Sequence, residues 1–507
     1  MELYGILAKV STFALTENTI ELDFIARYIS WLIKITSSVG LGIILFTLTL
    51  RMIVLPFDIF SKVKMRKNSI AMREMRPELE KLQKQYANDK NLYNQKMLAL
   101  QKKNGYSPLS GCLPMILSLV IFIIAINSFR QYSAFSMQEE YNDIIIHYNA
   151  AVLTVTDEQN ENSVFKNVDD EVVVDSAEFY KKIDEIYSEY SGYKSVVKLD
   201  ENNALKLSVD NDNKFTDTSS TAFIDNIKYG LGIYKDYFIK TDDGQYKLDL
   251  RASNTEDREK EKQSILNTIV SFVENNYINE YIVPEINKIV KEDYETDKIK
   301  KSSFLWVKNI WLPDVSYEHP IVDTAESFQT KISNAARQSC TCSCEVTKIP
   351  IDETVYNTVT AGLDKQKTQA NGYFIMIVLS ILTTFLSQFI AQRQQKDQLE
   401  LQSVDGQAAM TQKMMMWIMP IMFGFFAFSY STAFSIYMTV SSIITTLSSV
   451  LVNGFTEKKN ETKKEKEANH SSRSKKNINK IEKEKAIAEV EEKKKQEEKK
   501  SKKNKGK

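Results

Sequence analysis

Apolar residues in this chain fall into long blocks separated by strongly polar ones, and the blocks set the expected elements. Residues 39–60, VGLGIILFTLTLRMIVLPFDIF, are long enough to cross a bilayer as a helix, which takes about 20 apolar residues. Pro56 in its last turns predicts a kink or a helix exit. Ahead of it, residues 20–36 carry Phe24, Ile25, Tyr28, Ile29, Trp31, Leu32 and Ile35 along one side at helical spacing, with Glu21, Asp23, Arg27 and Lys34 interleaved. That stretch is too polar to span. It reads as an amphipathic helix at the membrane interface, the plainer alternative being a short soluble helix. Residues 61–107 have a helical period, with Met72, Met75, Leu79, Leu82 and Tyr86 at steps of three or four, a polar turn at Asn88–Asn91, and Leu92, Met97, Leu98 and Leu100 beyond it. This predicts a helical hairpin that ends at Gly105 and Pro108. A second apolar block follows at 108–130, with Pro114 expected to kink it.

Residues 131–303 are acidic and water-soluble in composition. The alternating runs DEVVVDS and ALKLSVD, and the run KYGLGIYKDYFIK, predict strands. Asp243-Gly244 marks a hairpin turn. Residues 256–283 read as a helix with Ile265, Ile269, Phe272 and Val273 on one face, and a second helix is expected after Pro284. The segment is therefore an α+β insert. Residues 304–315, FLWVKNIWLPDV, have the aromatic composition of a membrane interface. A second insert covers 316–370. The third span is 371–392, followed by a polar loop at 393–413. The uncharged stretch 414–454 gives spans at 414–431 and 432–454. Residues 455–507 form a Lys- and Glu-rich tail with few apolar residues, expected to be disordered or a lone solvated helix. The first 38 residues are a non-spanning leader into span 1. Residues 1–16 lack a basic region followed by an apolar run, so no cleaved signal peptide is expected. The fold class is an α-helical polytopic membrane protein of five transmembrane helices with an inserted α+β domain.

Charge fixes the orientation. The formal net charge is +0, but residues 61–107 carry roughly +8, the stretch from residue 457 to 507 roughly +9, and residues 131–370 roughly −17. Positive segments stay inside. The hairpin and tail are thus cytoplasmic, the two inserts extracytoplasmic, and the N-terminus lies outside a cell membrane with the C-terminus in the cytoplasm. Arg393, Lys396 and Lys413 sit at the ends of the 393–413 loop and agree with that assignment.

Arg51 stands near the middle of span 1. Its guanidinium cannot be deprotonated, and a charge at the bilayer centre costs about 2.5–3.5 kcal/mol on insertion scales. A plain anchor would use Leu, so Arg51 is expected to face a wet cavity or a partner. Snorkelling to the interface is the alternative, and the apolar flanks on both sides argue against it. Other chemistry is sparse. There is no GxxxxGK[ST], H-E-x-x-H or G-x-S-x-G, and His147, His319 and His470 lie outside the spans. The span cores hold no carboxylate apart from Asp58 at the end of span 1, which argues against an ion-coupled carrier. No catalytic residue, metal or cofactor is expected. Four Cys give no disulfide framework, and none falls in the first 111 residues, so none is available for lipid attachment near the start. Cys340, Cys342 and Cys344 would share one face of a strand. With no His beside them, a reactive or bridged surface loop is favoured over a metal site.

Several stretches together resemble the YidC membrane protein insertase family: TLTLRMIVLPF around Arg51, RPELEKLQKQYANDKNLYNQKMLALQKKNGYSPLSGCLPMIL, FLWVKNIWLPD, NGYFIMIVLSILTTFLSQ and QKMMMWIMPIMFGFFAF, in that order. The resemblance covers residues 20–137, 302–315 and 371–454, about half the chain. It implies a five-helix bundle with a hydrophilic groove, and insertion of client membrane proteins alone or beside the Sec translocon. The groove arginine matches Arg51, and the polar position of the third span falls at Ser387 or Gln388. Met438 follows Tyr437 where the family often has an aromatic. Ser118 and Val120 replace its usual Gln and Pro. The large insert departs from the family pattern, in which the folded domain precedes the arginine span.

The expectation is that Arg51, with Thr47, Thr49, Ser118 and Ser387 holding water around it, draws in the acidic or polar leading segment of a nascent membrane protein, whose apolar span leaves into lipid along spans 3 and 5. The tail either contacts ribosomal RNA through phosphates or lies on anionic membrane lipids. Met414 to Met416, Met419 and Met422 suit varied apolar clients or plain helix packing. A lipid scramblase or transporter is the alternative function. A sensor whose working part is the insert is another, and it leaves Arg51 and the basic hairpin unexplained.

Overall fold

A computed structural model describes residues 10–18, 20–86, 89–104, 113–157, 163–168, 171–186, 190–298, 302–337, 349–402, 407–451 and 454. The chain is mostly helical and divides into two compact units, one of Met1–Phe46, Ile123–Val378 and Phe425–Ile436, the other of Thr47–Phe122, Leu379–Gly424 and Tyr437–Lys507. The expected metal-neutral thiols Cys340, Cys342 and Cys344, and the tail, lie outside the described residues.

In the first unit, α1 is Phe24–Thr36. It begins where Asp23 accepts from the Ala26 amide at 2.6 Å, an N-cap that satisfies one of the orphan donors. Ala26, Ile29 and Leu32 are buried, while Phe24, Trp31 and Ile35 are exposed. Exposed apolar groups on one flank are what an interfacial helix presents. Next, α2 runs Val39–Gln85 without interruption through Pro56 and Pro77. Helix exit at Pro56 does not occur: one missing donor is a small loss against the rest of the ladder, and a spanning segment gains nothing by leaving helical geometry. Then α3 is Lys90–Lys103, opened by Asp89 accepting from Leu92 N at 3.0 Å.

The following helix, α4, is Leu113–Thr156. It runs well past residue 130, where the sequence suggested a boundary. Its buried Phe129, Tyr141, Ile144, Ile145, Tyr148 and Val152 keep the helical period, so there is no signal to stop. Its polar face also has an occupant. Gln131, Gln138, Asn142 and Asn149 bond the backbone of the extended segment before α1. Asn149 accepts from Phe13 N and donates to Phe13 O, both at 2.8 Å. Asn142 does the same for Thr16, at 3.0 and 2.8 Å. Gln138 donates to Glu17 O, and Gln131 bridges Glu21 O and Asp23 N. Carboxamides suit this because each offers both a donor and an acceptor.

The insert holds three separate antiparallel hairpins: β1 Phe165–Val168 with β2 Glu171–Val174, β3 Val197–Leu199 with β4 Leu205–Leu207, and β5 Phe238–Lys240 with β6 Tyr246–Leu248. Helix α5, Ser176–Ile186, follows the first, and α6, Thr218–Ile227, precedes the third. The Asp243-Gly244 turn is present, with Gly244 at φ 80. Most of KYGLGIYKDYFIK is not a strand. Lys228–Tyr237 is instead two short 3-10 stretches that meet at a kink at Gly232, which takes φ 59, a region that favours glycine, and a Cβ on Gly230 would lie 2.1 Å from the Phe272 ring. Helix α7, Thr255–Tyr277, buries Ile265, Leu266, Ile269, Val270 and Val273. It passes through a π-turn at Ile278–Ile282 into α8, Val283–Asp293, so Pro284 falls in a first turn, where its missing donor costs least. Helices α9, Ala325–Arg337, and α10, Glu353–Val359, make the second insert.

Residues 304–315 are largely buried rather than spread on a surface: Val307, Asn309, Ile310, Trp311, Leu312, Asp314 and Val315 are all inside. They cap two helices. Helix α11 is Ile375–Gln402. Its start is held by Asp314, whose carboxylate accepts from Tyr373 N at 2.8 Å and Met376 N at 2.6 Å. Gly372 is required beside it, since a Cβ there would sit 1.8 Å from Asp314 Oδ1. Helix α12 is Gln407–Ser429 and α13 is Thr432–Leu451. The first amides of α13 donate to this segment, Thr432 N to Leu312 O at 2.9 Å and Ala433 N to Ile310 O at 3.0 Å. Trp311 instead packs edge-on to Tyr132, 5.0 Å between centroids.

In the second unit, Met75 and Leu79 of α2 pack on Leu100 of α3, with Leu82 and Met97 beside them. A cleft of about 400 Å³ lies between the arms, lined in part by Lys81, Lys96 and Lys103. Phe122 of α4 meets Phe423 of α12 at 4.9 Å, and Phe385 of α11 meets Trp417 of α12 at 5.3 Å. Among the described residues, Val39–Ser61 and Thr432–Leu451 are long and apolar enough to cross a membrane, and Ile375–Ala391 and Pro420–Ser429 are shorter apolar stretches. The polar loop expected at 393–413 is shorter, because α11 reaches Gln402 and α12 starts at Gln407.

Two predictions follow from the first unit. Asp314→Ala strips two helix-start amides and leaves them buried; it should cost about 2–4 kcal/mol, with Asp314→Asn costing less, read by denaturant unfolding in detergent. Glu274 of α7 accepts from the Ser176 hydroxyl, yet burial pushes its carboxyl up to about 7 against that bond. A carboxyl raised in the folded state favours the protonated fold, so its contribution is whole below the ordinary carboxylate range and is lost as pH rises through about 7. Thermal unfolding of the full chain should shift down between pH 5 and pH 8, and Glu274→Gln should flatten that slope.

Candidate functional site: the span 1 arginine and its hydroxyl partners

Arg51 lies on α2 one turn after Thr47, so the two share a face. Thr47 is buried and Arg51 half-buried, while Met52 and Ile53 beside it are exposed. The helix thus turns its polar pair away from its apolar side. Arg51 Nε donates to Ser441 Oγ of α13 at 2.8 Å, and Nη2 donates to the same oxygen. Ser441 is buried, and the buried Tyr437 hydroxyl one turn earlier hydrogen-bonds it. The described hydrogen-bond partner of this cation is one hydroxyl, not a carboxylate.

Helix α13 is built to carry such groups. Thr445 donates to Ser441 O, Thr446 to Ser442 O and Ser449 to Thr445 O, each at 2.8 Å. Bonding back to the preceding turn lets Ser and Thr sit in an apolar helix without an unsatisfied donor. One hydroxyl reaches a neighbour: Ser442 Oγ lies 3.1 Å from Thr384 Oγ1 of α11, both buried. In membrane interiors such interhelical bonds hold helices together. Close packing adds to it between α11 and α12, where a Cβ on Gly424 of α12 would lie 2.9 Å from Ile381.

Of the residues singled out from sequence, Thr47 shares the face of Arg51. Ser387 and Gln388 are half-buried on α11, about a turn beyond Thr384. Met438 is buried beside Tyr437. The Ser118 side chain lies outside the described residues, as do those of Met415, Met416 and Met419; Met414 is exposed. Sequence reasoning noted Tyr437 only as the neighbour of Met438 and missed Ser441, Thr384 and Ser442. The signal was there in the run Ser441, Ser442, Thr445, Thr446, Ser448 and Ser449 within one uncharged span.

The model of the 60Kd inner membrane protein family matches residues 31–158 and 283–460, more than half the chain. The chain belongs to this family. The gap in the match, 159–282, falls on the hairpin-bearing insert. It is similar to the membrane protein insertase YidC of Oceanobacillus iheyensis, 38% identical over 104 residues, or 19% of this chain and 40% of that relative. To that of Caldanaerobacter subterraneus subsp. tengcongensis it is 35% identical over 115 residues, 23% of this chain and 50% of the relative. To that of Fusobacterium nucleatum subsp. nucleatum it is 34% identical over 99 residues, 20% and 46%. The matched stretch thus spans half or less of each of these relatives. No solved structure matches.

The Thr384–Ser442 bond is testable as a pair. A double-mutant cycle of Thr384→Val and Ser442→Ala should give a coupling of about 0.6 kcal/mol, and at most about 1.7, from unfolding in mixed detergent.

Proposed function

We propose that this family member is a membrane protein insertase that takes client segments through a hydrophilic groove centred on Arg51. The observation that carries the reading is a permanent cation inside an apolar span, held by one neutral hydroxyl, Ser441. Such a charge is costly unless used. A carboxylate on a client offers it a charge-assisted, bidentate partner, which lowers the cost of bringing a polar leader part-way across. Thr47, Ser387 and Gln388 line the wet path, and Met438 backs the Tyr437 turn.

The energy of insertion comes from burying about 20 apolar client residues in lipid. The membrane potential adds about 2.3 kcal/mol per 100 mV for each acid moved outward. Five spans, an outside N-terminus and a cytoplasmic C-terminus follow from the charge pattern. The basic cleft of the α2–α3 hairpin, with Lys81, Lys96 and Lys103, receives client segments on the cytoplasmic side. Partners are nascent membrane proteins, the Sec translocon, membrane lipids, and the ribosome through the basic tail. The insert is a partner surface carried by the same scaffold.

The deciding experiment is insertion of a short single-span, N-out client with an acidic leader into liposomes holding the purified chain, scored by protease protection. Arg51→Ala should lower the protected fraction at least fivefold. Equal insertion at equal protein level would remove the arginine from the mechanism.

A further inference from the structure

We propose that Ser441 and Tyr437 form a resting lock on Arg51 that sets the preference for clients bearing a carboxylate. The inference rests on the insertase reading above and concerns the same site. Two guanidinium nitrogens, Nε and Nη2, converge on one oxygen, Ser441 Oγ. The Tyr437 hydroxyl, itself buried, bonds the same serine from one turn away on α13. The serine's backbone carbonyl is engaged by Thr445, so the turn that presents Oγ is braced from the next turn. The cation is therefore docked on α13.

The chemistry of the acceptor decides what releases it. A serine oxygen is neutral and takes the fork at a single point. A carboxylate is charged and takes it at two. Exchange from Ser441 to a client Asp or Glu gains both charge and a second oxygen, whereas exchange to a client amide or hydroxyl gains neither. The lock thus imposes a threshold that acidic leaders clear and neutral leaders do not. Tyr437 acts through Ser441: by bonding it, the phenol fixes the hydroxyl that faces the arginine. Both are positioning residues.

The test uses the full chain in liposomes with two clients that differ only by one Asp or Asn in the leader, and reads the ratio of their protected fractions. Ser441→Asp gives Arg51 a permanent carboxylate partner and should lower Asp-client insertion at least fivefold while changing the Asn client less than twofold. Ser441→Ala should shift the Asp-to-Asn ratio at least threefold, Tyr437→Phe should shift it in the same direction, and Ser441→Thr, which keeps the hydroxyl, should restore the wild-type ratio. A merely structural role would lower both clients together. An unchanged Asp-client yield in Ser441→Asp, or the same ratio in Ser441→Ala as in wild type, overturns the lock while Arg51→Ala still lowers insertion. Full activity of Arg51→Ala overturns the insertase reading itself.

Discussion

The first amides of a helix have no partner inside it, and in this protein two helix starts draw theirs from one irregular segment. Residues 304–315 supply the Asp314 carboxylate to the start of α11, and the Ile310 and Leu312 carbonyls to the start of α13. The segment is pinned in turn by a buried amide knot. Asn371 donates to Asn309 O and Pro313 O, and its own oxygen accepts from Asn309 N at 2.7 Å. Asn309 reaches Glu140 of α4 at 3.1 Å, and Tyr294 donates to the same carboxylate. Irregular backbone at this depth survives only when every polar group is satisfied. The knot takes up the Asn309 amide and the Asn309 and Pro313 carbonyls, so this part of the segment can lie inside.

The extended segment before α1 follows the same rule by different means. Among the described residues it pairs with no strand, and its backbone groups are taken by Gln131, Gln138, Asn142 and Asn149 along α4. These four alternate steps of seven and four, close to the period that keeps one stripe on a helix. A helix face that looks merely polar is a template for main chain.

At Arg51 the balance is finer. A hydrogen bond involving a charge contributes about 1.5–3 kcal/mol, similar to the insertion cost of a central arginine. The Ser441 hydroxyl therefore offsets the cation without trapping it. A carboxylate in the same place would hold it more firmly, and one is not found among its described partners.

Apolar run length and charge sign by themselves determined the helical class, the helical hairpin closed by Met75, Leu79 and Leu100, and the helix that buries Ile265, Ile269 and Val273. They also marked Arg51 as an arginine where an anchor needs none. These are local properties: burial period and the cost of a charge are written in consecutive residues. The run 228–237 was misread because its fate lies with Phe272, far along the chain. The role of 304–315 in capping two helices was not legible, because composition does not say which helix starts will need its carbonyls. Ser441 was passed over because one serine among many carries no mark, and only tertiary structure brings it to Arg51, 390 residues away. Hydrogen-bond partners at such separation are chosen by packing, so sequence names the donor and the fold names its acceptor.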